Sequence, residues 1–179
     1  KEERTFSAAD RIVAEVKNRT QAAGKIILFG HSAGGQFVHR WALLGGKKNV
    51  DVIAVANSGW FTMPDRDIDY PYGIKNVGIT DEELGEAFAK PVILFMGEKD
   101  VERKPPFRDT PEADAQGMNR MERCMNYFRQ CKAKAEELRV PFRWKLEIVE
   151  GTAHQGVKMA EGAAAYIFGK SSEDGNRRV

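Results

Sequence analysis

The sequence predicts an α/β fold built on a parallel sheet, and three observations lead there. Short apolar runs at 25–29, 50–56, 92–96 and 143–149 alternate with longer stretches of helical periodicity. The 179 residues contain no internal repeat and no interdomain linker, so one domain is expected. Ser32, Asp100 and His154 each fall just beyond the end of a predicted strand. A parallel sheet brings such ends to one edge, whatever their separation in sequence.

Composition narrows the function classes. Charged residues make up 30% of the chain, but the net charge is only +2, so no basic field argues for nucleic acid. No apolar run reaches the length of a membrane span. No secretory signal is recognisable, and the chain opens at Lys1 rather than an initiator Met, which leaves the compartment open. Cys124 and Cys131 lie seven apart in a helical pattern. That is roughly 10 Å along the axis, too far for a disulfide, so both are expected to be reduced core residues.

Taken in order, Ser7–Asp10 reads as a capping box that opens a helix with Ala9, Ile12, Val13 and Val16 inward, stopped at Gly24. The first strand is 25–29. Gly30-His-Ser-Ala-Gly-Gly35 follows at once, and then a helix with Gly34, Val38, Trp41 and Ala42 inward, His39 on the surface, and Gly45-Gly46 at its end. Residues 50–56 form a buried parallel strand. The long loop after it, about 60–79, is rich in aromatics and proline and is expected to cap or wall a pocket, or else to form a small satellite core. Thr80-Asp-Glu-Glu83 is a second capping box, opening a helix with Leu84, Ala87 and Phe88 inward. The third strand, 92–96, leads into Gly97-Glu-Lys-Asp100. Thr110-Pro111 starts a helical pattern that runs to about Leu138 and carries Met121, Cys124, Met125, Phe128, Cys131 and Ala135. The strand at 143–149 alternates Trp144, Leu146 and Ile148 with charged residues, as an edge strand does. The last helix runs from Val157 to Phe168, and a polar tail completes the chain.

The stretch around Ser32 is a strand, a sharp glycine-rich turn and a helix with a serine at the apex, which is the arrangement of a nucleophile elbow. Gly30 and Gly34 are expected to let strand and helix approach closely. A phosphate loop is excluded, because Gln36 and Phe37 stand where it needs Lys and Ser or Thr. The G-x-G-x-x-G spacing of a dinucleotide loop is absent, and a plain tight turn remains the alternative. Serine is a weak nucleophile and needs a base. Of three histidines, His154 alone sits in a loop after a strand, so it is the expected base. Asp100 is preferred to Glu98 and Glu150 as the acid that orients it. The backbone N–H of Ala33 is the expected oxyanion donor. His31, Trp60, Phe61 and Met63 are the expected substrate contacts. Arg66, Arg103, Lys104 and Arg108 are candidates to hold an anionic substrate, with solvated loop charge as the plainer reading. The spacing supports no metal site.

The strings Gly-His-Ser-Ala-Gly-Gly-Gln-Phe, Ala-Asn-Ser-Gly-Trp-Phe-Thr-Met-Pro, Gly-Glu-Lys-Asp and Gly-Thr-Ala-His-Gln resemble the α/β-hydrolase superfamily. Within it they are similar to the esterase and polyhydroxybutyrate-depolymerase-like group. The resemblance covers residues 6–168. It implies a catalytic domain over 1–170 with a tail at 171–179, cofactor-free hydrolysis of an ester, and a small or polymeric acyl substrate. It also implies about eight strands, with the elbow after the fifth. Only four are legible here, and the loop that usually supplies a second oxyanion N–H is not. A missing N-terminal segment, upstream or as a companion fragment, is therefore expected to pair with the first strand, whose apolar edge is otherwise exposed. Three other functions stay open: a peptidase or amidase using the same triad, acyl transfer to an acceptor other than water, and a non-catalytic binding module on the same fold.

Overall fold

The computed structural model describes residues 2–20, 24–45 and 50–169. In chain order these form α1 (Glu2–Thr20), β1 (Ile27–His31), α2 (Ala33–Leu44), β2 (Val52–Ala56), α3 (Asp81–Phe88), β3 (Val92–Gly97), α4 (Pro111–Asp114), α5 (Arg120–Glu137), β4 (Lys145–Val149) and α6 (Gly156–Phe168). The sheet is parallel throughout, in the order β1-β2-β3-β4. The predicted tail at 171–179 lies outside the described residues, as does Gly46.

Side-chain alternation along the central strands separates two cores. Ile53 and Val55 of β2, with Val92, Leu94 and Met96 of β3, face the larger core, where Val38, Trp41, Leu84, Phe88, Tyr127 and Cys131 pack. Ala54, Ala56, Ile93 and Phe95 face α6 through Met159 and Ala163. Both faces of β2 and β3 are covered, which is why these strands read as continuous apolar runs. β4 is an edge strand, with Ile148 exposed. The Thr80 capping box is present in full: Thr80 Oγ1 accepts from the Glu83 N–H, and Glu83 accepts from the Thr80 N–H.

Several expectations need correction. α1 runs through Ser7, so residues 7–10 are not an N-terminal cap; nothing in Glu2–Phe6 interrupts the helix. Its inward residues are Phe6, Ala9 and Val13, while Ile12 and Val16 are exposed. Contact with α2 sets that face. Phe6 lies 5.6 Å from the Phe37 ring, and Trp41 Nε1 donates to Asp10 at 3.1 Å. β1 begins two residues later than predicted, because the Ile26 N–H is taken by Asp51 Oδ2 (2.8 Å) and pairing starts at Ile27–Val52. The pattern from Thr110 to Leu138 is two helices. Gly117, with φ +147°, ends the first, and Asn119 caps the second by accepting from the Glu122 N–H. Met125 faces solvent.

The largest departure is His39, which is buried rather than on the surface. Its Nε2 accepts from the Thr62 N–H at 3.0 Å, so Nδ1 carries the proton and donates to the Gly35 carbonyl, also at 3.0 Å. The ring packs on Phe61 and Tyr127. Burial, which penalises the imidazolium, holds its pKa down to about 3. The folded value lies below the unfolded one, so the unfolded chain takes up the proton first. This contribution to stability is complete above pH 6.5 and is lost as the pH falls from there towards 3. The slope it adds is on the order of 1 kcal/mol per pH unit. His39→Gln retains an acceptor for Thr62 and cannot titrate. Urea unfolding at pH 7 and pH 5 should therefore show a smaller loss of stability on acidification in His39→Gln than in the wild type.

Candidate active site

Ser32 follows β1 directly and holds a strained backbone, φ 56° and ψ −116°. Such a conformation costs on the order of 1–3 kcal/mol, and the surroundings enforce it. The Ser32 N–H donates to the Ala56 carbonyl at 2.9 Å, and the Ser32 carbonyl accepts from the Gln36 N–H at 3.0 Å as α2 begins. Close packing demands glycine on both sides. A Cβ at Gly30 would strike the Gly34 carbonyl and, at 2.7 Å, Val38 Cγ2. On the helix the crowded position is Gly35, where a Cβ would lie 2.6 Å from Ser58 Oγ and 2.8 Å from the Ala56 carbonyl. Gly34, expected to face the sheet, is exposed and has open space where a Cβ would go.

Three side chains meet at this edge. Ser32 Oγ lies 3.0 Å from His154 Nε2, and His154 Nδ1 lies 2.7 Å from Asp100 Oδ2. In the tautomer this chain favours, Nδ1–H donates to the carboxylate and Nε2 accepts from the serine hydroxyl. Asp100 is buried. Glu98, the nearest rival acid, accepts instead from the Gly151 N–H at 2.7 Å and closes the turn before His154. Ala33 opens α2, where the first N–H groups of a helix have no intrahelical acceptor.

Of the expected substrate contacts, His31 does border the site, with its ring 4.7 Å from that of His154. Burial first, and then the charge of a protonated His154, hold its imidazole below the ordinary value. Phe61 and Met63 do not border it. Both are fully buried in the larger core, with Phe61 stacked 4.5 Å from Tyr127, so their side chains offer no surface to a substrate. Gln116 clasps the Phe61 backbone at both its N–H and its carbonyl, and His39 holds the next N–H. The start of the 60–79 loop is therefore core. Trp60 and Tyr72, both buried, pack together 5.0 Å apart beside Ala113. Arg66, Arg103 and Lys104 pair with Asp81, Asp114 and Glu102, and Arg108 donates to the Tyr72 hydroxyl.

Two residues that sequence reasoning missed complete the arrangement. Arg120, buried on α5, donates from Nη1 to Asp100 Oδ1 at 3.1 Å and from Nη2 to the Pro106 carbonyl at 2.7 Å. Its guanidinium lies 5.0 Å from the centre of the Phe107 ring. The two carboxylate oxygens of Asp100 are thus divided between Arg120 and His154. Asn57, the first residue after β2, accepts from the Gly97 N–H and donates to the Ala153 carbonyl. Neither had a legible signal: an arginine within an amphipathic helix reads as a surface charge, and an asparagine after a strand reads as a turn. Among the described residues, no cluster of His, Cys, Asp and Glu is arranged to hold a metal.

No protein-family model matches the chain, and no curated protein matches its sequence. Solved structures do. The chain is similar to poly(aspartic acid) hydrolase-1 from Sphingomonas sp. KT-1, with 32% identity and a TM-score of 0.84 over 91% of this chain and 62% of that one. It is similar to LpqC, a poly(3-hydroxybutyrate) depolymerase from Bordetella parapertussis, with 31% identity and a TM-score of 0.84 over 93% of this chain and 57% of that one. The chain therefore spans about three-fifths of the length of these two structures. The shared architecture is the α/β-hydrolase fold.

Two substitutions probe the framework. Gly30→Ala forces its methyl group into α2 and should lower stability by about 1–3 kcal/mol, read as a lower thermal midpoint. Arg120→Met leaves the Asp100 carboxylate buried without its cation and should cost about 3–5 kcal/mol, measured by urea unfolding at pH 7.

Proposed function

We propose that this chain, which carries the α/β-hydrolase fold, holds the active site of a serine hydrolase that cleaves carboxylic esters through an acyl-enzyme. The observation that carries the reading is the continuous hydrogen-bonded chain from Ser32 through His154 to Asp100. Ser32 Oγ attacks the acyl carbonyl while its proton passes to His154 Nε2. Asp100 keeps Nδ1 protonated and steadies the imidazolium that forms. The Ala33 N–H, at the positive end of α2, faces the developing oxyanion. His154 then protonates the leaving alcohol. A water, activated by the same nitrogen, attacks the acyl-enzyme, releases the acid and restores Ser32. His31 and Trp60 are the proposed substrate contacts of this chain. The reaction as written needs no metal and no cofactor.

The proposed working site also includes a strand paired with β1 and a second oxyanion donor. In the described sheet β1 is an edge strand, so one row of its backbone groups is open to such a partner. Its Ile27, Leu28 and Phe29 are only half-buried.

An amide-cleaving reading is supported by one observation, the similarity to a poly(aspartic acid) hydrolase, since poly(aspartic acid) is a polyamide. The same residues serve, with His154 protonating a leaving amine. Paired p-nitrophenyl ester and p-nitroanilide substrates of one acyl group separate the two, and ester cleavage is the expected preference.

A fluorophosphonate probe should label the protein at Ser32. Ser32→Ala should abolish labelling and lower kcat on p-nitrophenyl butyrate by about 10⁴-fold or more. A folded wild type that takes no label on Ser32 overturns the hydrolase reading and favours a binding module.

A further inference from the structure

We infer that Asn57 is a positioning residue that sets the height of His154 over Ser32 by clamping the acid and histidine loops to each other. The inference rests on the triad reading above. Asn57 is the first residue after β2 and is fully buried. Its Oδ1 accepts from the Gly97 N–H at 2.8 Å, where the loop to Asp100 begins. Its Nδ2 donates to the carbonyl of Ala153 at 3.0 Å, the residue before His154. The two partners are of opposite kind, so only one orientation of the amide satisfies both. Its own N–H donates to the Phe95 carbonyl at 3.0 Å, tying it to β3, and the preceding Ala56 carbonyl accepts from the Ser32 N–H. Asn57 thus joins the acid loop to the histidine loop, and its neighbour Ala56 holds the turn at Ser32 beside them. The loops it joins are already in close contact: a Cβ at Gly97 would lie 2.7 Å from the Ala153 carbonyl, and the Lys99 N–H donates to the Thr152 carbonyl at 2.8 Å.

The backbone supplies a clean test. Asn57 has φ 45°, a left-handed conformation that glycine adopts without strain. Asn57→Gly therefore removes the clamp without penalising the chain's path. Asn57→Asp keeps the shape and adds a titration. The neutral carboxyl, favoured by burial, can donate to Ala153 and accept from Gly97 as the amide does. Once ionised, it sets an acceptor against the Ala153 carbonyl. The titratable and charged groups around this corner are His31 beside the elbow, Asp100, Arg120 and His154, with Lys99, Glu102 and Lys104 along the small cavity behind them.

The experiment measures kcat and KM for ester hydrolysis against pH in wild type, Asn57→Gly and Asn57→Asp, with circular dichroism at each pH. It also follows the low-field proton NMR signal of His154 Nδ1–H, which reports the bond to Asp100 whether or not the protein turns over. Asn57→Gly should lose about 10²-fold in kcat, with KM near the wild-type value, and should lose the low-field signal. Asn57→Asp should lose kcat on an alkaline limb absent from the wild type, with unchanged circular dichroism. Wild-type kcat and an intact signal in Asn57→Gly overturn the inference. So does a loss of activity that follows loss of the folded spectrum. If the wild type shows the signal but cleaves no ester, the hydrolase reading fails, and the signal in Asn57→Gly alone decides the role of Asn57.

Discussion

Parallel pairing has a geometric consequence that antiparallel pairing lacks: every strand delivers its C-terminal end to the same edge. Here His31 pairs with Ala56, Ala56 with Phe95, and Gly97 with Val149. The residues after these positions are Ser32, Asn57, Glu98 and Glu150, so the turn at Ser32 and the loops to Asp100 and His154 all leave the same edge of the sheet, from strands spaced about 5 Å apart. Ser32 and His154 are 122 residues apart in sequence and 3.0 Å apart in space. That approach needs all four strands in register. The register in turn needs both sheet faces buried, because a slip of one residue would exchange Ile53 and Val55 with Ala54 and Ala56 between two differently shaped cores.

Within this frame the polar residues at the edge serve as fasteners. Asn57 joins two loops, Gln116 and His39 hold the backbone at Phe61 and Thr62, and Arg123 donates to the carbonyls of Gly59 and Gly117 and to Asp114. A buried donor or acceptor without a partner costs about 1–3 kcal/mol, so each of these bonds strongly disfavours any other path for its loop. The aromatic segment after β2 is consequently a fixed wall. Its apolar side chains Phe61 and Met63 complete the larger core, and Trp60 and Tyr72 form a small buried cluster of their own with Ala113. The same logic applies to Arg120 and Asp100. A buried carboxylate that shares one oxygen with a guanidinium and the other with an imidazole has little freedom to rotate.

Much of this was legible because it is local. The strands at 50–56 and 92–96, the Thr80 capping box, the proline at the start of α4 and the strand, turn and helix around Ser32 depend on neighbours within a few residues. Errors came where a distant contact overrode the local signal. His39 sits at a helical position that reads as surface until the Thr62 N–H and the Phe61 ring are brought over it. Ile12 and Val16 share the apolar spacing of α1, yet the partners on α2 turn Phe6 and Asp10 inward and leave those two exposed. Gly34 satisfies the elbow motif, whereas Gly35 takes the crowded position, since the way α2 leaves the turn decides which α-carbon meets β2.

By itself the sequence determined the class of fold, the sharp turn at Ser32 and that the side chains of His154 and Asp100 are brought to it, because strand ends in a parallel sheet converge whatever lies between them. Only the tertiary structure decided which oxygen of Asp100 meets His154, that Arg120 takes the other, that Asn57 spans two loops, and that Phe61 and Met63 are core. Those outcomes rest on hydrogen bonds and packing between residues 20 to 100 positions apart, roughly, and side chains of such separation leave no mark on one another's local pattern.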